Sequence, residues 1–475
     1  MKTSRLCPSP RRRAAVLCGV LSVMLACAAA HAADLPALWK ERVKSVVAVE
    51  FFTETELDRR TSLVAGVVAD NNGTIALPPG IVGARVTAAQ LKDFRVHLPG
   101  DPASAYAKGE YLGQDNLSGW NFVRVEEKVR GRLTPVTAFA GKPGTAEPAM
   151  AEEVWGIGLR GKEEDFLPYL MVARVGLVQS LPERTAVALG EVAAPGLPVF
   201  NGEGAFAGIA EGGFGSSYLQ YGARGGATPI MLMNVEESRV FVLAAEVTPW
   251  LTRAPANVMG RPIPWFGANV GPTDPELTAF LKLDAQSACS VSEVYESSPA
   301  EKAGVKAGDI IVALDGKPLP RLTPERVAMR FFDREVDRRA PGDKLAFTVL
   351  RGSERVELTA TLGDEPKLAR EAERKYFEKL GLTVREFVFG DGVVRRVKLA
   401  EQKGVLAHFV KASTPVSTAG LQPDDWIQEI DGTEIKTFAE AVTKLAAIEA
   451  DTVRTEFVLL VSRRGETQVL RVKQK

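Results

Sequence analysis

The 475-residue sequence predicts a mainly β chain, with an all-β first half and a duplicated α+β domain in the second half. Residues 35 to about 250 contain short apolar runs separated by turn residues, which is the pattern of a β-sandwich or barrel. The 43 Gly and 29 Pro residues favour many short strands over long helices. Because one core rarely organises a chain of this length, we expect two to four domains.

Residues 1–32 are expected to be a secretory signal peptide. A basic start is followed by an apolar run that is short for a membrane span, and then by a small-x-small cleavage site. These three parts are Lys2 to Arg13, Ala14 to Ala30, and Ala30-His31-Ala32. The alternatives are a membrane anchor or a lipid anchor on Cys27. The sequence therefore predicts an exported protein, periplasmic or secreted, with no membrane span once the signal is cleaved.

The charge of the predicted mature chain argues against a polyanionic partner. The full sequence has 59 basic and 59 acidic residues. Cleavage after Ala32 removes five basic and no acidic residues, which leaves a net charge of −5. Such a chain has no general attraction for nucleic acid or an anionic membrane. Cys289 is the single cysteine after the signal, so we expect no intrachain disulfide. We also expect no cofactor.

Two stretches of the second half align without a gap: SSPAEKAGVKAGDIIVALDGKPL from Ser297 and STPVSTAGLQPDDWIQEIDGTEI from Ser413. Each begins with an N-cap residue and a proline at the first helical position, Ser298-Pro299 and Thr414-Pro415. Each continues with a helix-ending glycine, a strand and an Asp-Gly turn. The glycines are Gly304 and Gly420, and the turns are Asp315-Gly316 and Asp431-Gly432. This agreement indicates a duplicated domain.

These signatures resemble PDZ domains, in the permuted order found in bacterial exported proteases. Upstream of the repeats lie two apolar-Gly-apolar stretches, Phe266-Gly267-Ala268 and Leu380-Gly381-Leu382. The resemblance implies that each loop turns its backbone N–H groups toward the C-terminal carboxylate of a peptide, which adds as a strand to the sheet edge. The alternative is an apolar strand start that binds no ligand. Ala268 is smaller than the usual apolar residue, and Asp424 replaces a glycine of the first repeat.

The second wall of each predicted peptide groove is a helix. TPERVAMRFFDREV (Thr323 to Val336) and TFAEAVTKLAAI (Thr437 to Ile448) carry apolar residues at helical spacing, with Thr323 as an N-cap. The charged stretch AREAERKYFEKL from Ala369 is predicted to be a helical connector. We therefore place the first PDZ domain at 258–365, a helical linker at 366–379 and the second PDZ domain at 380–475.

A β-rich first half, behind a signal peptide and ahead of two PDZ repeats, resembles the HtrA/Deg family of exported serine proteases. The resemblance covers nearly the whole mature chain. It implies a chymotrypsin-like double β-barrel over residues 35–250.

The resemblance also assigns the three catalytic positions of that family. Gly66, Asp70, Gly73 and Ile75 match the frame of the first motif, and its histidine slot falls on Gly80. In GQDNLSGWNFVRV, the aspartate slot falls on Gly119. The third motif aligns through Gly196, Pro198, Gly204 and Gly208, and its nucleophile slot is Pro195, with Ala193 in a preceding glycine slot.

Gly80, Gly119 and Pro195 provide none of the groups that a serine hydrolase requires, which are a nucleophile, a base and a group that orients the base. Proline also lacks a backbone N–H, so the oxyanion hole would lose one of its two main donors. The sequence therefore predicts a pseudoprotease with no catalytic residues.

The alternative to a pseudoprotease is an enzyme whose catalytic residues lie elsewhere in the chain. His97 and His408 remain after the signal, and both lie in strand contexts typical of structural or surface histidines, without the spacing of a zinc site. Ser216 and Ser217 lie in a glycine-rich loop with no evident base. A Ser–Lys dyad between distant residues stays open, because such partners need not be close in sequence.

The leading hypothesis is a proteolytically inactive, HtrA-like exported protein. Its PDZ domains would bind C-termini or extended segments of unfolded or envelope proteins, in quality control or as a scaffold or regulator. The alternatives are a peptidase with a relocated nucleophile and a regulatory subunit of an active HtrA-type protease. The family resemblance adds a homo-trimer formed through the N-terminal segment, to which Trp39 would contribute.

Overall fold

In the computed structural model, the described part of the chain covers residues 35–474 with gaps at 84, 142–146, 181–182, 212–217, 221–229, 233–239, 259, 261, 284, 323–325 and 399–400. The predicted signal peptide, Ser216, Ser217 and the predicted N-cap Thr323 lie outside the described residues. Within the described part, no helix has the length and apolar character needed to cross a membrane.

The first β-barrel follows the N-terminal helix α1 (Leu35–Arg42). Six strands close it in the order β1-β2-β3-β6-β5-β4, all antiparallel neighbours. They are β1 (Val46–Glu54), β2 (Arg59–Val68), β3 (Thr74–Leu77), β4 (Leu91–His97), β5 (Ala107–Gln114) and β6 (Asn121–Val125). Its interior is apolar and includes Val49, Phe51 and Val123. A short helix, α2 (Glu127–Arg130), leads toward the second barrel.

The second barrel is also closed by six strands, in the order β10-β11-β14-β9-β8-β7. Its strands are β7 (Glu153–Leu159), β8 (Pro168–Gln179), β9 (Thr185–Ala188), β10 (Pro198–Asn201), β11 (Phe206–Glu211) and β14 (Val240–Leu243), and a separate pair is formed by β12 (Tyr218–Gln220) and β13 (Ile230–Leu232). Helix α3 (Ala244–Leu251) follows. The predicted double barrel is thus confirmed.

Trp155 organises the core of the second barrel. It is 2% exposed, its indole Nε1 donates to the Asn201 carbonyl (2.9 Å), and its ring lies 4.8 Å from Phe200 and 6.3 Å from Trp39 of α1. Helix α1 therefore packs its tryptophan onto this barrel.

The first PDZ repeat is a sheet of strand order β16-β17-β18-β20-β21, with β19 attached to β18. Its elements are β15 (Pro264–Trp265), β16 (Ala268–Pro272), α4 (Pro275–Phe280), β17 (Cys289–Val294), α5 (Pro299–Lys302), β18 (Ile310–Leu314), β19 (Lys317–Pro318), α6 (Arg326–Asp337), β20 (Lys344–Arg351), β21 (Glu354–Thr361) and β22 (Gly363–Asp364). Strand β15 pairs with β22 at the end of the repeat.

The second repeat has the strand order β23-β24-β25-β26-β28-β29, with β27 attached to β26. Its elements are β23 (Arg374–Phe377), β24 (Leu382–Glu386), α7 (Phe389–Arg395), β25 (Val405–Val410), α8 (Pro415–Thr418), β26 (Trp426–Ile430), β27 (Thr433–Glu434), α9 (Phe438–Ala450), β28 (Glu456–Arg463) and β29 (Glu466–Lys473). Compared with the first repeat, it has one additional strand on the β24 edge.

The predicted helical linker at 366–379 is wrong. Residues 369–371 form a turn, and Arg374–Phe377 form β23, which pairs residue by residue with β24. A charged segment without a continuous apolar face gains little from helix formation. Pairing with β24 satisfies the same backbone and buries Phe377 completely. The second repeat therefore begins before residue 380.

Most of the local signals in the repeats are confirmed. Ser298 caps α5 by accepting the Glu301 N–H (3.1 Å), and Asp315 and Asp431 have the positive φ values of a type I′ turn. Thr414 is an exception among the caps: α8 begins after it, but its hydroxyl donates to the Lys411 carbonyl (2.7 Å) instead.

Candidate functional site

A cleft between the two barrels brings together the three slots predicted from the sequence. The cleft has a volume of about 1120 Å³, and its walls include Gly80, Ser118, Trp120, Pro195 and Gly196. We call it the barrel cleft. The aspartate slot, Gly119, lies between the two lining residues Ser118 and Trp120.

Pro78 and Pro79 occupy the centre of this arrangement. They follow β3, and both line the barrel cleft. A Cβ at Gly119 would lie 3.3 Å from Cβ of Pro79, and one at Gly196 would lie 2.8 Å from Cγ of Pro78. Gly119 and Gly196 both have positive φ values, +74° and +81°. The proline rings therefore pack against backbone that carries no side chain, in the space between the aspartate and nucleophile slots.

The backbone N–H groups around Pro195 point into the barrel wall. Ala194 donates to the Ile157 carbonyl (3.0 Å) and Gly196 to the Ala210 carbonyl (2.8 Å). Pro195 itself has no N–H to offer. These donors are therefore engaged within the second barrel, in a segment where an oxyanion hole needs N–H groups directed into the cleft.

Ser118 is the single hydroxyl among the described residues that line the barrel cleft, and no histidine or lysine lines it there. Its Oγ donates to the carboxylate of Asp115 (2.6 Å), which is fully buried. A catalytic triad needs a base and a further group that orients this base, and the Asp115 carboxylate alone cannot be both. Asp115 also accepts the Ser118 N–H (3.1 Å), as expected of a turn residue.

Neither histidine lies in the barrel cleft. His97 is 2% exposed in the first barrel, and its ring lies 4.8 Å from that of Phe166. Its Nε2 is 3.8 Å from the Glu50 carboxylate, too far for a hydrogen bond, and burial lowers the pKa of His97. Within the described part of the chain, no group of three His, Cys, Asp or Glu side chains could hold a metal ion.

Helix α6 of the first PDZ repeat forms one wall of the barrel cleft. Arg330 and Arg334 of α6 line it, together with Arg338 just after the helix, and Arg334 pairs with Glu246 of α3 (3.2 Å). On the same helix, burial and the nearby Asp333 and Glu365 raise the pKa of Asp337 to about 6. This role of α6 was not predicted from the sequence. The signal was present as Arg330 and Arg334, which are four residues apart and therefore lie on one helical face, with Arg338 one residue beyond the end of the helix.

The opposite face of α6 meets the predicted peptide-binding loop. Phe266 is 5% exposed, and its ring makes edge contacts with Phe332 of α6 (5.3 Å) and Phe347 of β20 (5.4 Å). Ala268 begins β16, and no described strand pairs with the outer edge of β16. The space between this edge and α6 is the first groove, with half-buried Ala268 and Phe331 beside it.

The loop itself requires glycine. Gly267 has φ +81°, and a Cβ there would lie 2.3 Å from Cβ of Ser298. The carbonyls of Phe266 and Gly267 accept the N–H groups of Ala300 (2.9 Å) and Tyr295 (3.0 Å). Among the described residues, no acceptor takes the N–H groups of Phe266 and Gly267. The loop is thus held through its carbonyls, while two donors remain for a ligand.

The second loop has the same conformation but a different neighbour. Gly381 has φ +69°, and a Cβ there would lie 2.4 Å from Cγ2 of Thr414. Leu380 and Leu382 are fully buried. On its outer edge β24 pairs with β23. The structure therefore places all six predicted peptide-binding residues in two equivalent loops, only the first of which borders an unpaired strand.

Two closed barrels of six strands each, followed by two PDZ-type repeats, define the class: a chymotrypsin-like double-barrel fold with C-terminal PDZ repeats. Comparison with known proteins agrees. A family model described as a PDZ domain matches residues 290–330. The periplasmic pH-dependent serine endoprotease DegQ of Escherichia coli is 31% identical over 172 residues, which are 36% of this chain and 34% of DegQ.

A probable periplasmic serine endoprotease, DegP-like, of Chlamydia trachomatis is 27% identical over 177 residues, which are 37% of this chain and 33% of that protein. The chain thus matches about a third of the length of these relatives. A solved structure of a variant of the HtrA-type protease AlgW with a decapeptide has a TM-score of 0.50 at 16% identity, and covers 70% of this chain and 97% of that one. The resemblance to the HtrA/Deg family is confirmed.

Proposed function

We propose that this protein is an exported, proteolytically inactive HtrA-like protein that binds the C-termini of other proteins through the first groove. The observation that carries the proposal is the pair of N–H donors at Phe266 and Gly267, which have no partner within the described residues and lie at the start of an unpaired strand edge. A carboxylate accepts such donors well, and a peptide ending there can add as a strand to β16.

The absence of proteolysis is the second half of the proposal. Gly80, Gly119 and Pro195 carry no group that transfers a proton or attacks a carbonyl. In the described lining of the barrel cleft, Ser118 is bonded to the Asp115 carboxylate, and no histidine or lysine lies there to act as the base of a triad. The barrels then act as a scaffold for the PDZ repeats, in quality control of envelope proteins or in regulation. A periplasmic location is part of this proposal, supported by the predicted signal peptide and by the names of the relatives.

Peptide binding by the mature chain (residues 33–475) tests the proposal. The probe is a pool of fluorescent decapeptides with random last four residues, prepared both with free carboxylates and as C-terminal amides. We expect retention of the carboxylate pool only. Gly267→Ala forces a side chain into a left-handed backbone against Ser298, so affinity should fall at least ~10-fold, the equivalent of about 1.4 kcal/mol.

Gly202→Ala is the matched control. Gly202 is exposed in a turn of the second barrel, and a Cβ there meets no atom within 4 Å. It should bind the carboxylate pool as the unchanged chain does. Equal retention of the carboxylate and amide pools, or full binding by Gly267→Ala, would refute binding through the first loop.

A further inference from the structure

The second PDZ repeat has a strand where the first has an open edge. Strand β23 runs antiparallel to β24, from Arg374 opposite Arg385 to Phe377 opposite Leu382. In the first repeat, the segment just before the loop pairs instead with β22, through Trp265 and Gly363. The position that a peptide would take beside β24 is therefore filled by residues 374–377 of the same chain.

The backbone contact at the loop matches that expected of a ligand. The N–H of Gly381, the glycine of the second loop, donates to the carbonyl oxygen of Phe377 (2.8 Å) and, at a longer distance, to that of Glu378 in the turn (3.2 Å). In a PDZ domain this N–H faces the terminal carboxylate of the bound peptide. The corresponding N–H of Gly267 donates to no acceptor among the described residues. Phe377 thus occupies the position of a C-terminal residue, with its carbonyl in place of the carboxylate.

The side chain of Phe377 fills an apolar pocket. It is fully buried, in one cluster with Leu380 and Leu382 of the loop region and with Leu445 and Ile448 of α9. Burial of a Phe side chain contributes about 1.5–3 kcal/mol. The space between β24 and α9 is the second groove, and its apolar pocket is occupied.

Contacts with the helix and with the first barrel hold this segment. The N–H of Lys379, in the turn after β23, donates to the Glu449 carboxylate of α9 (2.8 Å). Arg374 donates to the Gln90 side chain (3.3 Å), and Thr383 of β24 to the Glu56 carboxylate (2.6 Å). Gln90 and Glu56 belong to loops of the first barrel, so the edge is fixed from two sides.

We propose that residues 374–377 are an internal ligand of the second PDZ repeat, and that this repeat accepts no other peptide while the segment is in place. The proposal deepens the proposed function, on which it rests, because it assigns external peptides to the first groove alone. A four-residue turn joins the segment to its site, so its effective concentration is on the order of millimolar or higher. An outside peptide at micromolar concentration does not displace it.

Lys375→Pro in the mature chain tests the internal ligand. Lys375 is exposed and pairs with Val384, so proline removes a ladder donor from β23 without emptying the core. Lys375→Ala keeps the N–H and is the matched control. The probe is the synthetic heptapeptide EAERKYF, the sequence of residues 371–377 with a free carboxylate. We expect the Lys375→Pro chain to bind one more peptide than the unchanged chain or the Lys375→Ala chain.

Hydrogen exchange over residues 382–386 provides a second readout. These amides should be protected in the unchanged chain, exchange faster in Lys375→Pro, and regain protection when the heptapeptide is added. Phe377→Ala, which empties the pocket but keeps the backbone, should accelerate the same exchange. Two peptides per unchanged chain, or no change in stoichiometry and exchange in both variants, would overturn the proposal. If no chain binds the peptide, the exchange rates still decide whether β23 covers β24, while the random carboxylate pool tests the first groove separately.

Discussion

Asp309→Ala is expected to destabilise the first PDZ repeat by about 3 kcal/mol, near the lower end for a broken buried ion pair, and to abolish peptide binding at the first groove. The Asp309 carboxylate is 1% exposed and accepts bonds from Nε and a terminal nitrogen of Arg351 (both 2.8 Å) and from the Lys306 N–H (2.9 Å). Arg351 also donates to the carbonyl of Gly304 (2.8 Å), which follows the end of α5. Losing the carboxylate therefore loosens the strand and the helix that hold the Gly267 loop.

Burial by itself raises the pKa of Asp309, but the hydrogen bonds and charge of Arg351, together with the Lys306 N–H, outweigh it and hold the pKa below its usual value. Because the folded pKa is the lower one, the stabilisation is present above about pH 4 and is lost as pH falls through the folded pKa. The effect of Asp309→Ala should consequently be full at neutral pH and shrink in acid.

Calorimetry measures the loss of stability, and binding of the carboxylate pool measures the loss of peptide affinity. The chain has several domains, so the transition of the first repeat is followed by hydrogen exchange in β18 and β20. Glu296→Ala removes an exposed carboxylate from the same repeat and is the control, with an expected change below about 0.5 kcal/mol. Equal stability of the two variants would contradict a structural role for the Asp309–Arg351 pair.

Acidification from pH 6.5 to about 4 is expected to weaken the contact between the second PDZ repeat and the first barrel. Burial lowers the pKa of His408 to about 4, helped by Arg374, Arg385 and Arg85 and opposed by Glu56. A histidine with a depressed pKa stabilises the docked state while it is neutral. Its stabilisation is complete above the ordinary pKa of about 6.5 and declines below it, by at most about 3 kcal/mol near pH 4.

Hydrogen exchange over residues 85–90 and 382–386 as a function of pH measures the loosening. His408→Gln keeps a neutral side chain at every pH, so the contact should depend less on pH in this variant. His97→Gln changes the other histidine of the mature chain, inside the first barrel, and should leave the pH dependence at the second repeat as it is. Identical profiles for His408→Gln and the unchanged chain would rule out His408 as the group responsible.

The sequence predicted those parts of the fold that are determined by local signals. The cap at Ser298 and the turns at Asp315 and Asp431 depend only on neighbouring residues. The repeat could therefore be identified without a structure. The two barrels followed from the apolar runs, and the slots at Gly80 and Pro195 line one cleft, as the alignment of motifs implied.

The missed features depend on contacts between distant segments. Arg374–Phe377 was predicted to be helical, because its charged neighbours have helix-compatible composition, but pairing with β24 decides its conformation. The docking of the second repeat through Thr383 and Glu56, 327 residues apart, leaves no pattern in either segment. Helix α6 is a similar case. Its arginines could be recognised in the sequence, but their position opposite α3 could not.

We infer that this protease fold binds other chains and does not cut them, and intact-mass spectrometry of unfolded casein is the sharpest test of that inference. Casein is incubated with the mature chain in parallel with an active HtrA-type protease. With the mature chain, casein should keep its mass at a time when the active enzyme has degraded its own sample. Casein fragments that persist when the protein is purified to homogeneity, and that disappear after treatment with a serine-directed phosphonate, would contradict the claim.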